Sequence, residues 1–547
     1  MWNKKLAPTP IKRINEMSKL FISRVQTTLM ALALFGTVTA HAQEYDVVLK
    51  GGRVMDPETS LDAVMNVGIK GGKIAAVTEE EISGKEIIDV KGLVVSPGFI
   101  DTHQHSLDIA DGRLAAQDGT TTHMELEFGR SPVAEAYSVI ENRGHPINYG
   151  FAASWPMVRA KVMTGFQGEA TWDGMVKALG PANWGASVSN PEQEKQILDL
   201  IQKELDDGAL AIGYPPAYGS GAGMKESIKL WKKAATNNVP VSVHVRYQSM
   251  LDPKSSVEAM NEMLGLATAS GAHAILCHIQ LVGLSDPYMM LDVIEAGRKA
   301  GLRLTTEIYP FGGTAPPISA DYLKWANSDE RIGFEWNKIR TEAKPHYTFK
   351  DKADFQKYQK ENPSAFVQME YINERTKRGL AAMRAAVTFP ETIPAADGTA
   401  ISWPGKPEGA DKLGLGSGVD VWPLPKDAGG QPRTASTHAI ILGKWVREQG
   451  ALTLMQAISN SSYVPAKALE QHIPQFTTKG RLQVGMDADI TVFNAKKVKA
   501  NATWDDVAAL NDGFYYTLVN GEFILKDGKI VTDALPGQPL RRTPKNL

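Results

Sequence analysis

From Leu93 to Asp420 short apolar runs alternate with longer stretches whose apolar residues recur at helical spacing, the pattern of repeated β/α units. The strand-like runs fall at 93–103, 119–128, 148–155, 208–214, 240–246, 272–278, 302–309 and 413–420. Eight such units predict an α/β fold, a (β/α)₈ TIM-like barrel, in which chemistry gathers where strands end and loops begin. The flanks read differently. From Tyr45 to Ile88, and again from Gly485 to Val531, short alternating runs are punctuated by Gly51-Gly52, Gly71-Gly72, Asn520-Gly521 and Asp527-Gly528, the mark of strands and hairpins. These terminal strands are expected to meet in one small β-sandwich (43–92 with 480–547), with the barrel over 93–479. The polar stretch 312–412, rich in Lys, Glu and Pro, is too long for a connection and predicts an inserted lid or substrate-binding element.

Composition narrows the partners. The chain has 547 residues, 43% hydrophobic, with a formal net charge of −2, enough for a large core and without an electrostatic footprint for nucleic acid. A small-molecule substrate is the expected partner, and assembly into a homo-oligomer is left open. Residues 1–42 read as an export signal: cations from Lys4 to Arg24, an apolar run Leu29–Phe35, and Ala40-His41-Ala42 before Gln43, with Met17 as an alternative start. The apolar run is too short to span a bilayer, so a periplasmic or secreted protein without a stable membrane anchor is expected. Cys277 is the single cysteine, which excludes an intrachain disulfide.

Candidate chemistry begins at Gly98-Phe99-Ile100-Asp101-Thr102-His103-Gln104-His105. On an extended backbone, residues i and i+2 point the same way, so both imidazoles can meet one ion. The fifth and sixth strands each end in a histidine, His244 and His278, at the same end of the barrel. Singly each is an ordinary rim or core histidine; four together indicate a shared metal centre. An anion is needed between two cations. Period-two geometry turns His123, Glu125 and Glu127 to one face of the second strand and Met124, Leu126 and Phe128 to the other, against the helices. Glu127, nearest the strand end, is the bridging candidate and Glu125 the second choice; the bland alternative is that either pairs with Arg246. Asp420, at the end of the eighth run, is the candidate general base, taking a proton from activated water and passing it to a leaving nitrogen.

Together these residues resemble the amidohydrolase superfamily. The likeness spans the sandwich halves, Pro97–His105, His244, His278, Asp420 and the closing segment 480–490 with its Gly485-Met486-Asp487-Ala488-Asp489, and implies a metal-dependent hydrolase barrel. Within the superfamily the chain is similar to the N-acyl-D-amino-acid deacylases, or D-aminoacylases, on Asp207–Gly213, His244-Val245-Arg246, Ile308-Tyr309-Pro310 and Gln431-Pro432-Arg433 followed by 442–448. The resemblance implies that Tyr309 and Arg433 hold the substrate carboxylate, which suits a phenol and a guanidinium fork. Two positions depart from the family: a metal-ligating cysteine is replaced by Glu127-Phe128, and a lysine two residues after the sixth-strand histidine is Gln280. Hydantoinase- and urease-like members bridge their metals with a carboxylated lysine on the fourth strand, and 208–214 contains no lysine.

The expectation is a zinc-type hydrolase with one or two divalent ions held by His103, His105, Glu127, His244 and His278, cleaving the amide of an N-acyl-D-amino acid, with an N-acyl-D-glutamate among the candidates. Rival substrates are cyclic amides, isoaspartyl dipeptides or an aminated heterocycle, and the rival of another class is a binding protein that kept the barrel without the chemistry. Export has its own test: N-terminal sequencing of protein recovered from a secreting host should read from Gln43, and an intact leader would remove the export assignment.

Overall fold

The computed structural model describes residues 44–166, 168–180, 183–401, 403 and 421–543. The terminal sheet comprises β1 (Tyr45–Asp56), β2 (Leu61–Lys70), β3 (Lys73–Thr78), β4 (Gly84–Asp89) and β5 (Val94–Pro97). Its C-terminal strands are β17 (Ile490–Phe493), β18 (Phe514–Val519), β19 (Glu522–Lys526) and β20 (Lys529–Ile530). They form a single hydrogen-bonded sheet in which β5 pairs with β1 on one side and β17 on the other, joining the two ends of the chain. Its core holds Val47, Leu49, Val67 and Ile69 from the N-terminal strands with Ile490, Val492 and Leu518 from the C-terminal ones. Asn520-Gly521 and Asp527-Gly528 make the expected hairpin turns, all four with positive φ as two-residue turns require.

The barrel consists of β6 (Phe99–Asp101), β7 (Thr120–Arg130), β8 (Asn148–Ser154), β9 (Ile212–Tyr214), β10 (Val241–Val243), β11 (Ala274–Leu276), β12 (Leu304–Ile308) and β16 (Thr392–Pro394), paired in parallel in that order. Strands two to seven lie within a few residues of the expected runs. The first run is split: Val94–Pro97 belongs to the terminal sheet and only Phe99–Asp101 to the barrel. The chain crosses between the sheets at Gly98, where a Cβ would fall inside the Thr121 side chain. Backbone hydrogen bonds close the ring, Asp397 N–H to His103 O at 2.7 Å and His105 N–H to Gly398 O at 2.8 Å.

Two sequence expectations are corrected. The eighth strand is Thr392–Pro394, inside the stretch assigned to the insertion; Asp420 and the whole run 413–420 lie outside the described residues. A three-residue strand ending in proline carries no apolar run to announce it. The inserted element is correspondingly shorter: β13 (Gly313–Thr314), β14 (Arg340–Thr341) and β15 (Val367–Glu370) form its small sheet, and helix Lys377–Val387 then leads back to the barrel.

The facing of β7 is also different. Met124 and Leu126 pack with Ile100, Ala152 and Ile275, residues from opposite sides of the ring, so they fill the barrel interior. His123 lies against His145, with ring centroids 4.9 Å apart. The pairing of β7 with β8 shifts register between Glu125 and Arg130, and Gly129 adopts φ +70° where a Cβ would strike the Ala152 carbonyl. This irregularity, which simple alternation does not anticipate, turns Glu127 toward the histidines.

The crossing point is sensitive to one methyl group. Gly98→Ala should destabilise the protein by about 1–3 kcal/mol through overpacking against Thr121, read as a lowered denaturation midpoint. An unchanged midpoint would show that the two sheets can move apart there.

Candidate metal centre

His103 and His105 follow β6 with their rings turned to the same side, while Gln104 between them accepts from Thr434 Oγ1 at 3.2 Å. Their Nε2 atoms stand 3.2 Å apart. Glu127 Oε2 is 3.2 Å from His103 Nε2 and 3.4 Å from His105 Nε2. Asp397 Oδ1 is 3.4 Å and 3.1 Å from the same two nitrogens. A tetrahedron of nitrogen and oxygen ligands about 2.0–2.1 Å from a zinc-sized ion has edges of about 3.3–3.4 Å, so the donor set has the dimensions of a closed cation site.

The opposite ring nitrogens are held from behind by two further carboxylates. His103 Nδ1 is 2.6 Å from Glu307 Oε1, and His105 Nδ1 is 2.8 Å from Glu125 Oε2. Each carboxylate can accept an Nδ1 proton, which would leave Nε2 free to meet a cation, the arrangement that orients metal-binding imidazoles. Thr102 Oγ1 steadies Glu307 at 2.9 Å. Glu125 also accepts from the Phe128 N–H at 3.0 Å and from Arg130 at 3.1 Å, so it supports His105 and is not the bridge. Arg246 pairs instead with Glu262 at 3.0 Å, leaving neither glutamate to it.

The other oxygen of Glu127 faces a second set. Oε1 lies 2.8 Å from His244 Nδ1 and 2.9 Å from His278 Nε2. One carboxylate thus spans two clusters of donors, the geometry of a bridging ligand. His278 reaches it from a left-handed backbone, φ 34°, rare for a residue with a side chain and characteristic of functional strain. His103, Cys277 and Glu307 also approach one another closely, but burial and the Glu307 charge push the Cys277 thiol far up, which keeps it protonated.

The charges agree with this geometry. Burial works against ionisation of Glu127, yet the His103 and His244 rings beside it hold its carboxyl well below the usual range. Asp397 is held low in the same way, against burial, by Arg433 and His103. For His105, burial is outweighed by Glu125 and Asp397, and the ring is raised to about 9. Glu127 and Asp397 therefore stay ionised at neutral pH and draw positive charge toward the histidines.

Arg433, fully buried, reaches Asp397 Oδ2 with Nη2 at 3.2 Å and stacks on Tyr309, its guanidinium carbon 4.0 Å from the ring centroid. The Tyr309 hydroxyl accepts from Tyr371 at 3.0 Å, and Gln280 donates to Tyr371 at 3.3 Å. The expected substrate-binding pair is thus assembled beside the metal donors. Asp397 and Glu307 escaped sequence reasoning. Asp397 was announced only by Asp397-Gly398 after the short Ile393-Pro394, and Glu307 only by its place two residues before Tyr309 on a strand that otherwise reads as buried.

The cleft above these groups is lined by His105, Glu127, Asp397 and Arg433 from the barrel and by Pro316, Tyr322 and Phe366 among others from the inserted element. No helix among the described residues is long and apolar enough to cross a membrane.

No protein-family profile matches the chain. It is 24% identical to the N-acyl-D-glutamate deacylase of Alcaligenes xylosoxydans xylosoxydans, over 91% of this chain and 97% of that protein. It is 23% identical to the D-aminoacylase of the same organism, over 92% and 99%. Among solved structures, an N-acyl-D-glutamate deacylase from Bordetella bronchiseptica, complexed with zinc and a phosphonate inhibitor, superposes with a TM-score of 0.71 at 19% identity, covering 91% of this chain and all of that one. A D-aminoacylase described as having a binuclear metal centre gives 0.70 at 19% identity, again over 91% and 100%.

The orienting carboxylates are open to test before any substrate is known. Glu125→Gln should weaken divalent-metal affinity by about 10–100-fold in chelator competition, because His105 loses its anionic partner. Unchanged affinity would remove Glu125 from the centre. Over nine-tenths of its length, in sequence and in fold, the chain is similar to the D-aminoacylase group of amidohydrolases, hydrolases of carbon–nitrogen bonds other than peptide bonds.

Proposed function

We propose that this protein is an exported, zinc-dependent hydrolase of N-acyl-D-amino acids. The observation that carries the reading is the convergence of His103, His105, Glu127 and Asp397 on one void at tetrahedral spacing, with Arg433 and Tyr309 at its edge. Imidazole and carboxylate donors suit zinc, with His103, His105, Glu127 and Asp397 able to hold one ion and Glu127, His244 and His278 a second. A bound zinc ion would polarise the amide carbonyl and make water acidic enough to attack it near neutral pH.

The chain's own residues supply the rest. Asp397 is kept ionised by Arg433 and His103, so it can accept the proton of the attacking water and deliver it to the departing nitrogen. It takes the part that the sequence assigned to Asp420. Arg433 fixes Asp397 through Nη2 and presents its remaining N–H groups to a substrate carboxylate, while the Tyr309 ring holds the guanidinium flat. Burial brings Tyr309 to about 12, which preserves its phenol as a hydrogen-bond donor. Tyr218, packed against His244 with ring centroids 5.0 Å apart, excludes water from one side.

Asp397→Asn should lower kcat by a factor of about 100–10,000, the range of general acid–base catalysis, while substrate protection against thermal unfolding persists. An Asn variant of near-native turnover would remove Asp397 from the reaction. Chirality is decided by parallel assay: N-acetyl-D-amino acids should be cleaved and their L-enantiomers left intact, and hydrolysis of hydantoins or isoaspartyl dipeptides in preference would favour the cyclic-amide or dipeptide reading.

A further inference from the structure

The imidazoles of the two clusters are not backed alike. Behind His103 and His105 stand the carboxylates of Glu307 and Glu125, each on the far ring nitrogen. In the second cluster His278 Nδ1 has no hydrogen-bond partner among the described residues. His244 turns Nδ1 to Glu127, and its far nitrogen, Nε2, meets the side-chain amide of Gln248.

Gln248 lies four residues past His244 in the loop after β10, buried, and its backbone is fastened from two sides. The Ser249 carbonyl accepts from Ser256 Oγ at 2.9 Å in helix Ser256–Ser270, and the Met250 N–H donates to the Arg331 carbonyl at 2.9 Å in the inserted element. Arg331 Nη1 returns to Ser249 Oγ, Leu251 O and Pro253 O at 3.1, 2.9 and 2.8 Å. With the loop held, the freedom left to Gln248 is rotation of its terminal amide, a soft two-fold torsion.

In the structure the amide nitrogen faces His244 Nε2, while Oε1 is buried without a partner among the described residues. An amide N–H donated to Nε2 requires that nitrogen to be bare, so the one hydrogen of a neutral ring sits on Nδ1 and points at Glu127 Oε1, 2.8 Å away. An imidazole that offers Nδ1 to a cation needs the opposite: Nδ1 bare, the hydrogen on Nε2, and an acceptor behind it. Gln248 carries that acceptor. Half a turn of the amide exchanges its nitrogen and oxygen in the same space and gives Oε1 the partner it lacks.

We infer that Gln248 is the positioning residue of the second cluster: with a cation at Glu127, His244 and His278, Gln248 Oε1 accepts from His244 Nε2 and fixes Nδ1 as the donor nitrogen. The inference rests on the zinc-hydrolase reading and extends it to a residue that touches neither substrate nor ion.

The test is zinc binding by the full-length protein without substrate, read by chelator competition. Gln248→Leu, which has neither donor nor acceptor, should weaken zinc binding by about 10–100-fold. Gln248→Glu, an acceptor when ionised, should keep the affinity or tighten it, because a carboxylate backs an imidazole more strongly than an amide does. A glutamine that only fills space predicts the reverse order, since a buried charge disturbs packing more than a leucine. In an Asp397→Asn background, which lacks a donor of the first cluster, the loss caused by Gln248→Leu should persist; its disappearance there would overturn the assignment to the second cluster. Equal affinity of the wild type and Gln248→Leu, both folded by circular dichroism, would overturn the inference and leave the proposed function standing, as would a Gln248→Glu protein weaker than Gln248→Leu. A wild-type protein that takes up no zinc would instead overturn the proposed function itself.

Discussion

Four buried polar atoms turned toward one another organise this molecule. His103 Nε2, His105 Nε2, Glu127 Oε2 and Asp397 Oδ1 are turned inward within 3.4 Å of their neighbours. Buried groups of this kind are tolerable only around a positive charge. The partners behind them, Glu307 and Glu125 on the far ring nitrogens and Arg433 on Asp397, make sense as a frame that holds each donor in its inward orientation. The register shift in β7 and the strained backbone of His278 are costs of the same arrangement, each bringing a donor to the void that regular geometry would have turned away.

Glu127 is the element on which the two halves of the centre depend. A cysteine in this position would offer a single sulfur atom to both sides. A carboxylate offers two separate oxygens, one for His103 and His105 and the other for His244 and His278. Phe128, the next residue, turns to the cleft wall and packs on His105 with ring centroids 5.3 Å apart. The same short segment therefore supplies both a candidate metal donor and a part of the cleft wall.

Much of the centre was legible in the sequence because imidazoles directly after apolar strands are uncommon and informative. His103, His105, His244 and His278 announced themselves in this way, and Arg433 and Tyr309 through family likeness. Asp397 did not, since the strand before it is three residues long and ends in proline. The alternation in β7 misled for a different reason: it assumes an unbroken ladder, and the chain inserts an irregularity between Glu125 and Arg130. Glu307 carries no local signal, because its significance lies in what approaches it from elsewhere in the fold. Sequence periodicity reports the regular parts of a barrel, and this centre is built where regularity stops.

The seam of the barrel adds a temporal dimension. The backbone bonds that join the first strand to the last run between His103–His105 and Asp397–Gly398, the segments whose side chains form the first cluster. His105 and Asp397 are 292 positions apart in the chain. A nascent polypeptide released as far as its seventh strand would possess both histidines and Glu127 but neither the closing strand nor the fourth donor. Tight capture of an ion would therefore belong to the finished ring, and an ion held there would act as a rivet across the last joint to form.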